Sequence, residues 1–525
     1  MEKIQLQDLS KEQLIEFINT LSLELQNANL KILKYEEQLR HYKKQTYVTK
    51  SEKIDTLQLS LFNETERESD LSIEEPVLVE KPKEKNDTNI KTVKKPRKEK
   101  RPREVLFEGL PVERIEYHLD DMTCKQCGGD LHVIRQETKK YIKIIPAQAI
   151  VVEEVCDICG CRHCEQHEIT TPIIEAKAPK RAIPGSIASS SLISYIMEQK
   201  YVNSMPLYRQ EQQFKRLGIE LSRQNLANWM IKGSEWFEPI FKRMYEFLLK
   251  QDIVLADETT LQVLKEPGKS PTTKSYIWLY RTGKYGYPIV LYDYQPSREG
   301  KHPENFLKNY KGYLLVDGYQ GYDNIPNVKL CGCWAHARRK FYEAIVTQPK
   351  SNKNKQTLTN AEQGFAYISQ LYEIEDKIKD LSPEERYKIR LERSRPILDA
   401  FSVWLNEKSL VVIPKSKTGI AIAYCLNQWK KLNNFLLDGR LEIDNNRSER
   451  SIKSVVIGRK NFLFSNTPKG AKASAIIYSL VETAKGNNLN PQKYLEYLLD
   501  KLPNMDLSNQ EEIDALLPWN IKLPE

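Results

Sequence analysis

The spacing of apolar positions changes period several times along the chain, and each change marks a candidate domain. From residue 9 to 45, Leu14, Ile18, Leu21, Leu25, Ala28, Ile32, Tyr35, Leu39 and Tyr42 alternate steps of four and three. A helix with that repeat keeps one apolar stripe turned toward a partner helix. Residues 1–65 are therefore expected to form a coiled coil that joins chains into a homodimer or higher oligomer. Periodicity vanishes over 66–104, where prolines at 82, 96 and 102 keep a linker extended. In 105–175 only short apolar runs recur, Tyr141-Ile-Lys-Ile-Ile145 and Ala149-Ile-Val-Val152, which read as strands. Residues 176–250 turn helical. Pro206 to Leu217, then Gly218, then Ser222 to Met230 have the spacing of a helix-turn-helix. Ser222 is expected to cap the second helix, with Leu226, Trp229 and Met230 on its core side.

The period shortens again over 251–335. Ile253-Val-Leu-Ala256 predicts a strand ending at Asp257. Tyr276–Tyr280 and Pro288–Tyr292 predict two more, parted by Gly283 and Gly286. A helix is expected from Pro303 to Tyr310, then strands at Tyr313–Val316 and Val328–Cys333. Three hairpin-linked strands, a crossover helix and a strand returning beside the first give a mixed α/β sheet of ribonuclease H-like order. Residues 336–435 read as a helical insertion, after which 436–465 rejoin the core. There Asp444, Asn445 and Asn446 start a short helix, Ile452, Val455 and Val456 form its apolar face, and Gly458 is placed to end it. Helices around Ala471–Lys485 and Pro491–Lys501 fill 466–525.

Charge adds to this picture in one place. The chain of 525 residues carries a net +9, and Lys81 to Arg103 holds eleven Lys or Arg against three acids, a surplus of eight. A flexible arm of that kind binds nucleic acid by releasing counterions from phosphates, or serves only as a solubilising spacer. No apolar run reaches eighteen residues and the first residues lack a signal-peptide core, so a cytoplasmic chain without a membrane partner is expected. Six of the nine cysteines fall between Cys124 and Cys164, which points to metal in a reducing compartment. Cys124-Lys-Gln-Cys127-Gly-Gly is one half of a structural Zn2+ site. Cys156/Cys159 and Cys161/Cys164 both have the spacing for the other half, with His132, His163 and His167 nearby.

Three carboxylates carry the candidate chemistry. Asp257 and Asp317 each follow an apolar strand, so parallel neighbours would open both into one crevice. Glu449 projects from the later helix toward that edge. Such a trio can hold two Mg2+ ions, or Mn2+ in their place, for in-line displacement at phosphorus. That chemistry cleaves DNA with water and then joins the freed 3′-hydroxyl to target DNA. Glu258 should face the opposite side of its strand, and Asp252, Asp293 and Asp444 are rivals. Arg447, Arg450, Lys453, Arg459 and Lys460 surround Glu449, while Arg338 and Arg339 stand beside a further pair, Cys333 and His336. Two ligands are too few for a metal alone, so His336 supports the site by hydrogen bonding or both belong to the core. On the helix-turn-helix, Arg223, Gln224 and Asn228 point outward, and these types read bases or contact phosphates.

Several blocks in order give the chain a family likeness. They are Ser51-Glu-Lys with Leu61-Phe-Asn-Glu64, the cysteine region, Pro206-Leu-Tyr-Arg-Gln-Glu211, Ala256-Asp-Glu-Thr259, Asp317-Gly-Tyr-Gln-Gly-Tyr322, Cys333-Trp-Ala-His-Ala-Arg-Arg-Lys-Phe341, Asp444-Asn-Asn-Arg-Ser-Glu-Arg450, Gly458-Arg-Lys-Asn461 and Leu516-Leu-Pro-Trp519. The chain resembles the large DDE-type transposase of insertion-sequence family 66. The resemblance implies a catalytic triad of Asp257, Asp317 and Glu449, and zinc held by Cys124, Cys127, Cys161 and Cys164 with Cys156 and Cys159 additional. It also implies binding of the element's terminal inverted repeats and small accessory proteins encoded by the same element. Two other functions fit the residues: a non-catalytic zinc-containing DNA-binding regulator, and a nuclease of the same fold that only hydrolyses.

Overall fold

The computed structural model describes residues 148–160, 173–347 and 358–524, together with Ile15 and Asn19. The expected coiled coil and linker, the Tyr141 run, and Cys124, Cys127, Cys161 and Cys164 lie outside these residues. A small antiparallel hairpin of β1 (Ile158–Gly160) and β2 (Ile173–Glu175) sets Cys159 opposite Ile174. Ala149–Val152 is not the expected strand. It is irregular and exposed, with Val151 90% accessible. Its backbone has no ladder partner among the described residues, and β-propensity without a hydrogen-bonded neighbour does not make a strand.

Four helices follow: α1 (Ser190–Tyr201), α2 (Leu207–Arg216), α3 (Arg223–Glu235) and α4 (Glu238–Leu249). The expected cap on α3 is present, since Ser222 Oγ accepts the Asn225 N–H at 3.2 Å. Gly218, at φ +80°, makes the left-handed turn after α2. Leu226, Trp229 and Met230 are buried.

The sheet has five strands, β3 (Ile253–Gln262), β4 (Lys274–Thr282), β5 (Val290–Gln295), β6 (Gly312–Val316) and β7 (Val328–Gly332), in the order β5-β4-β3-β6-β7. β4 runs antiparallel to β3 and β5, while β6 is parallel to both β3 and β7. A short helix, α5 (Lys301–Phe306), makes the crossover. β3 does not stop at Asp257 as its apolar run predicts. It continues to Gln262, because β4 pairs with it residue by residue as far as Lys274. Polar Asp257–Thr260 thus stay extended through backbone bonding that hydropathy does not report.

Alternation along β3 divides the interior in two. Val254 and Ala256 join a core with α1 to α4 and four later helices, while Ile253 and Leu255 face the other side. That second side is covered by α6 (Trp334–Val346), α7 (Asn360–Ile378), α8 (Pro383–Ile389), α9 (Arg395–Val411), α10 (Lys417–Asn427) and α11 (Trp429–Asn433). A π-helical turn at Arg390–Ser394 joins α8 to α9. Arg390 there is wholly buried. It grips both oxygens of Glu375 at 2.7 Å and donates to the carbonyls of Phe435 (2.9 Å), Asp438 (3.0 Å) and Leu441 (2.8 Å). One guanidinium therefore folds the turn that feeds α12 (Asn446–Phe462).

Gly458 does not end α12. It sits inside the helix, where an added Cβ would overlap the Tyr478 hydroxyl, and the helix ends at Leu463 with φ +63°. The glycine is there for close approach to α13 (Pro468–Gly486), which carries Tyr478. α14 (Pro491–Lys501) and α15 (Gln510–Ala515) complete the chain. We expect Arg390→Met to destabilise the protein by about 3 kcal/mol in urea unfolding, because it strips both 2.7 Å bonds from the Glu375 carboxylate, leaving it only Arg386 at 3.3 Å, and removes the donor to three carbonyls.

Candidate active site

Backbone register brings the acids together. β3 and β6 pair in parallel as Ile253↔Tyr313, Val254↔Leu314 and Leu255↔Leu315, a constant offset of 60 residues (313 − 253). Carried two residues further, that offset sets Asp317 level with Asp257. β6 and β7 pair with an offset of 16 (332 − 316), which brings Cys333 level with Asp317. Parallel neighbours stand about 4.8 Å apart, so three adjacent strands present Asp257, Asp317 and Cys333 at one edge.

α12 delivers Glu449 to the same edge. Asn445 does not cap the helix with its side chain, as its residue type suggests. It is buried, its Nδ2 donates to Ala256 O at 2.9 Å, and its backbone N–H donates to Cys333 Sγ at 3.2 Å. The capping falls to Asp444, whose Oδ1 accepts the Asn446 N–H at 3.1 Å while Tyr372 donates to Oδ2 at 3.0 Å. Arg281 on β4 donates to Arg447 O at 3.1 Å and to Ser451 Oγ, and Arg459 donates to Thr259 Oγ1 at 3.3 Å and to Thr260. The start and the last turns of α12 are therefore both tied to the sheet.

The charges at this edge oppose one another. Burial, then the charge of Glu258, and then those of Asp317 and Glu449 push Asp257 up to about 8, against the Glu258 N–H that donates to its Oδ1 at 2.8 Å. Asp317 Oδ1 accepts the N–H groups of Gly318 (2.6 Å) and Tyr319 (2.8 Å), and Tyr424 donates to the Asp317 carbonyl at 2.7 Å. Glu449 has Arg339 at 3.3 Å and His336 Nδ1 at 3.9 Å. Glu258 turns away as strand alternation requires, into Arg298 and the Tyr322 hydroxyl (2.6 Å). A buried carboxylate crowded by other carboxylates is unfavourable unless a cation joins it. The oxygen donors of Asp257, Asp317 and Glu449 fit a hard divalent ion. They are more widely spread than the ligand atoms of Cys333, His336 and Glu449, which lie within 4.8 Å of one another, the one such trio among the described residues.

The rival acids are engaged elsewhere. Asp252 pairs with Arg440 at 2.6 Å at the start of β3. Asp293 on β5 is pushed up to about 6 by burial and accepts from Gln295 at 2.8 Å. Among the basic residues, Arg450, Lys453 and Lys460 are exposed. Arg447 pairs with Glu442 at 2.7 Å, and Arg459 donates to β3. Arg338 lies 5.1 Å from the ring centres of both Phe365 and Tyr372. Arg223, Gln224 and Asn228 are exposed on α3. Cys156 and Cys159 are exposed thiols. Tyr424 and Arg298 fall in no motif, and Tyr322, although it ends the Asp317–Tyr322 block, gave no sign of its role, since their partners are 107, 40 and 64 residues away.

Comparison with known families gives the class first. The family described as "Transposase IS66 family" matches residues 185–473, and "IS66 C-terminal element" matches 479–519. "Zinc-finger binding domain of transposase IS66" matches 121–165, and "Transposase C of IS166 homeodomain" matches 34–115. The protein is a transposase with DNA-binding regions and a zinc-finger region. More narrowly, the chain belongs to the IS66 transposase family. Two proteins of Sinorhizobium fredii (strain NBRC 101917 / NGR234) are similar. "Uncharacterized protein y4jD" is 31% identical over 79% of this chain and 81% of its own length, and "Uncharacterized protein y4qI" is 31% identical over 82% and 79%. The zinc-finger match spans all six clustered cysteines and supports structural zinc. No helix among the described residues is long and apolar enough to cross a membrane.

The raised Asp257 gives a pH dependence with a definite sign. Its folded value, about 8, exceeds the ordinary 3.8, so its contribution to stability is full below about pH 4 and is lost as pH rises through 8. In chelator, wild-type stability should fall between about pH 5 and about pH 8 by a few kcal/mol more than that of Asp257→Asn. Mg2+ added at the upper pH should raise the wild-type melting temperature more than the variant's.

Proposed function

We propose that this transposase uses Asp257, Asp317 and Glu449 as a DDE triad, carried on a ribonuclease H-like sheet, to cut the ends of its element and join them to target DNA. The observation that supports this best is the common register of Asp257 and Asp317 on parallel strands, with Glu449 brought in by a helix tied to the same strand. The three carboxylates would hold two Mg2+ ions, with Mn2+ as a substitute. Bound there, divalent cations supply an activated oxygen nucleophile and stabilise the leaving oxygen. The chain's own residues do the rest. Exposed Arg450, Lys453 and Lys460 bind phosphates along α12, and Arg339 orients the Glu449 carboxylate. Water first attacks the scissile phosphorus and O3′ leaves with a proton. The freed 3′-hydroxyl then attacks a target phosphodiester at the same site, and the target's own O3′ leaves with the proton as the new P–O bond forms.

The remaining regions fit this role. We assign 1–65 to coiled-coil oligomerisation, 66–104 to a basic linker, and 105–175 to zinc binding through Cys124, Cys127, Cys161 and Cys164. The helical region 176–250 would contact terminal repeats through Arg223, Gln224 and Asn228. The catalytic core is 251–335 with 436–465, the helical insertion is 336–435, and the C-terminal helices are 466–525. Accessory proteins of the same element would act with it in the cytoplasm.

Labelled element ends incubated with the protein, Mg2+ and target DNA test the proposal. Wild type should give products joined to target, and Asp317→Asn should lower them by more than about 10²-fold, the range for removing one preorganised charge-stabilising group. Nicked products without joining would instead identify a hydrolytic nuclease, and activity surviving in Asp317→Asn would dismiss the triad. Separately, the double variant Arg450→Ala/Lys453→Ala should reduce the slope of log affinity against log salt by roughly 2, about 0.9 for each phosphate no longer neutralised.

A further inference from the structure

Spacing alone offers two ligands in Cys333-Trp-Ala-His336, and the fold adds Glu449 as a third. We propose that Cys333, His336 and Glu449 form a binding site for a thiophilic divalent cation, Zn2+ foremost, and that occupancy of this site withdraws Glu449 from Asp257 and Asp317. The second half of the proposal rests on the triad reading given above; the first half stands without it.

The donor atoms already converge within 4.8 Å. A tetrahedral zinc separates its N, O and S donors by roughly 3.4–3.6 Å, so the trio needs to contract by about an ångström. Glu449, a side chain with three rotatable bonds, supplies that freedom. Two of the donor atoms, His336 Nδ1 and Glu449 Oε1, are buried and lack a hydrogen-bond partner among the described residues, and they face each other at 3.9 Å, beyond hydrogen-bond reach. Arg339 occupies the other carboxylate oxygen, Oε2, at 3.3 Å and leaves Oε1 open.

The third donor is a buried thiol whose proton a bound cation would displace. Cys333 is fully buried at the N-cap of α6. Its sulfur accepts the Asn445 N–H at 3.2 Å, while burial pushes the thiol up to about 12. A thiol ligates as the thiolate, so cation binding here releases one proton per site. A thiolate, an imidazole and one carboxylate with a fourth position open make a donor set that selects zinc over magnesium. The oxygen donors of Asp257 and Asp317 select the reverse. Glu449 thus belongs to two donor sets of opposite hardness, and a cation in one set competes with a cation in the other.

The test uses the full chain with its zinc-finger region loaded with Zn2+. Co2+ is titrated in while thiolate-to-cobalt absorption and zinc release are followed together. Wild type should take up one Co2+ per chain with that absorption and without releasing zinc. Cys333→Ser and His336→Asn should lose it, and Glu449→Gln should weaken it by more than about tenfold, since even outer-shell partners are worth 10–100-fold in metal affinity. His336 is partly exposed, so its variant stays informative if Cys333→Ser melts early. Absorption that persists in folded His336→Asn, or that appears only as zinc is released, would overturn the site. With Mg2+ present, added Zn2+ should inhibit wild-type strand cleavage, and His336→Asn, measured against its own Mg2+ activity, should need over tenfold more. Equal zinc sensitivity would overturn the competition. Absence of any cleavage with Mg2+ alone would refute the triad reading and the competition with it, while the cobalt absorption still decides the site.

Discussion

Burial of Asp257 beside other carboxylates at the end of the β3–β6 pair is the constraint around which this site is arranged. Asp257 is buried with Glu258, Asp317 and Glu449 near enough to raise it to about 8. Each of these acids is held by separate means. Glu258 is clasped by Arg298 and Tyr322 on the opposite face, Asp317 by two backbone N–H groups, and Glu449 by Arg339. The packing that a hydrophobic pair would provide at this position is given up, and rigid surroundings keep the acids from moving apart.

That rigidity comes from tying α12 to the sheet at several points along its length. Asn445 bonds to the Ala256 carbonyl, one residue before Asp257, and Arg459 bonds beyond it at Thr259 and Thr260. Arg281 reaches between them to Arg447 O and Ser451. Behind the helix, Gly458 lets α13 approach closely. The wholly buried Arg390 organises the turn before α12 through three carbonyls and Glu375. Two arginines that look in sequence like phosphate contacts, Arg447 and Arg459, also brace the scaffold, while Arg450, Lys453 and Lys460 are the exposed cations of α12.

The same edge also concentrates softer donors. Cys333 follows β7 in register with Asp317, and His336 lies one turn into α6. Placing them beside Glu449 makes that one side chain the meeting point of an oxygen-rich set and a nitrogen-and-sulfur set. Its remaining freedom to rotate sets which of them it completes.

Much of the architecture was readable from local patterns. Apolar runs located every strand of the main sheet, Ser222 marked the start of α3, and Asp257 and Asp317 stood out as acids that follow apolar runs. These features depend on neighbours within a few positions, where side-chain period and capping chemistry act directly. Tertiary structure alone decided the rest. It extended β3 through its polar residues, changed Asn445 from a cap into a clamp, kept Gly458 inside a helix, left Ala149–Val152 without a strand, and brought Glu449 to Cys333 and His336. Each of those outcomes rests on a hydrogen bond or contact between segments distant in the chain, and the free energy of such a pairing is absent from either segment until both are folded against each other.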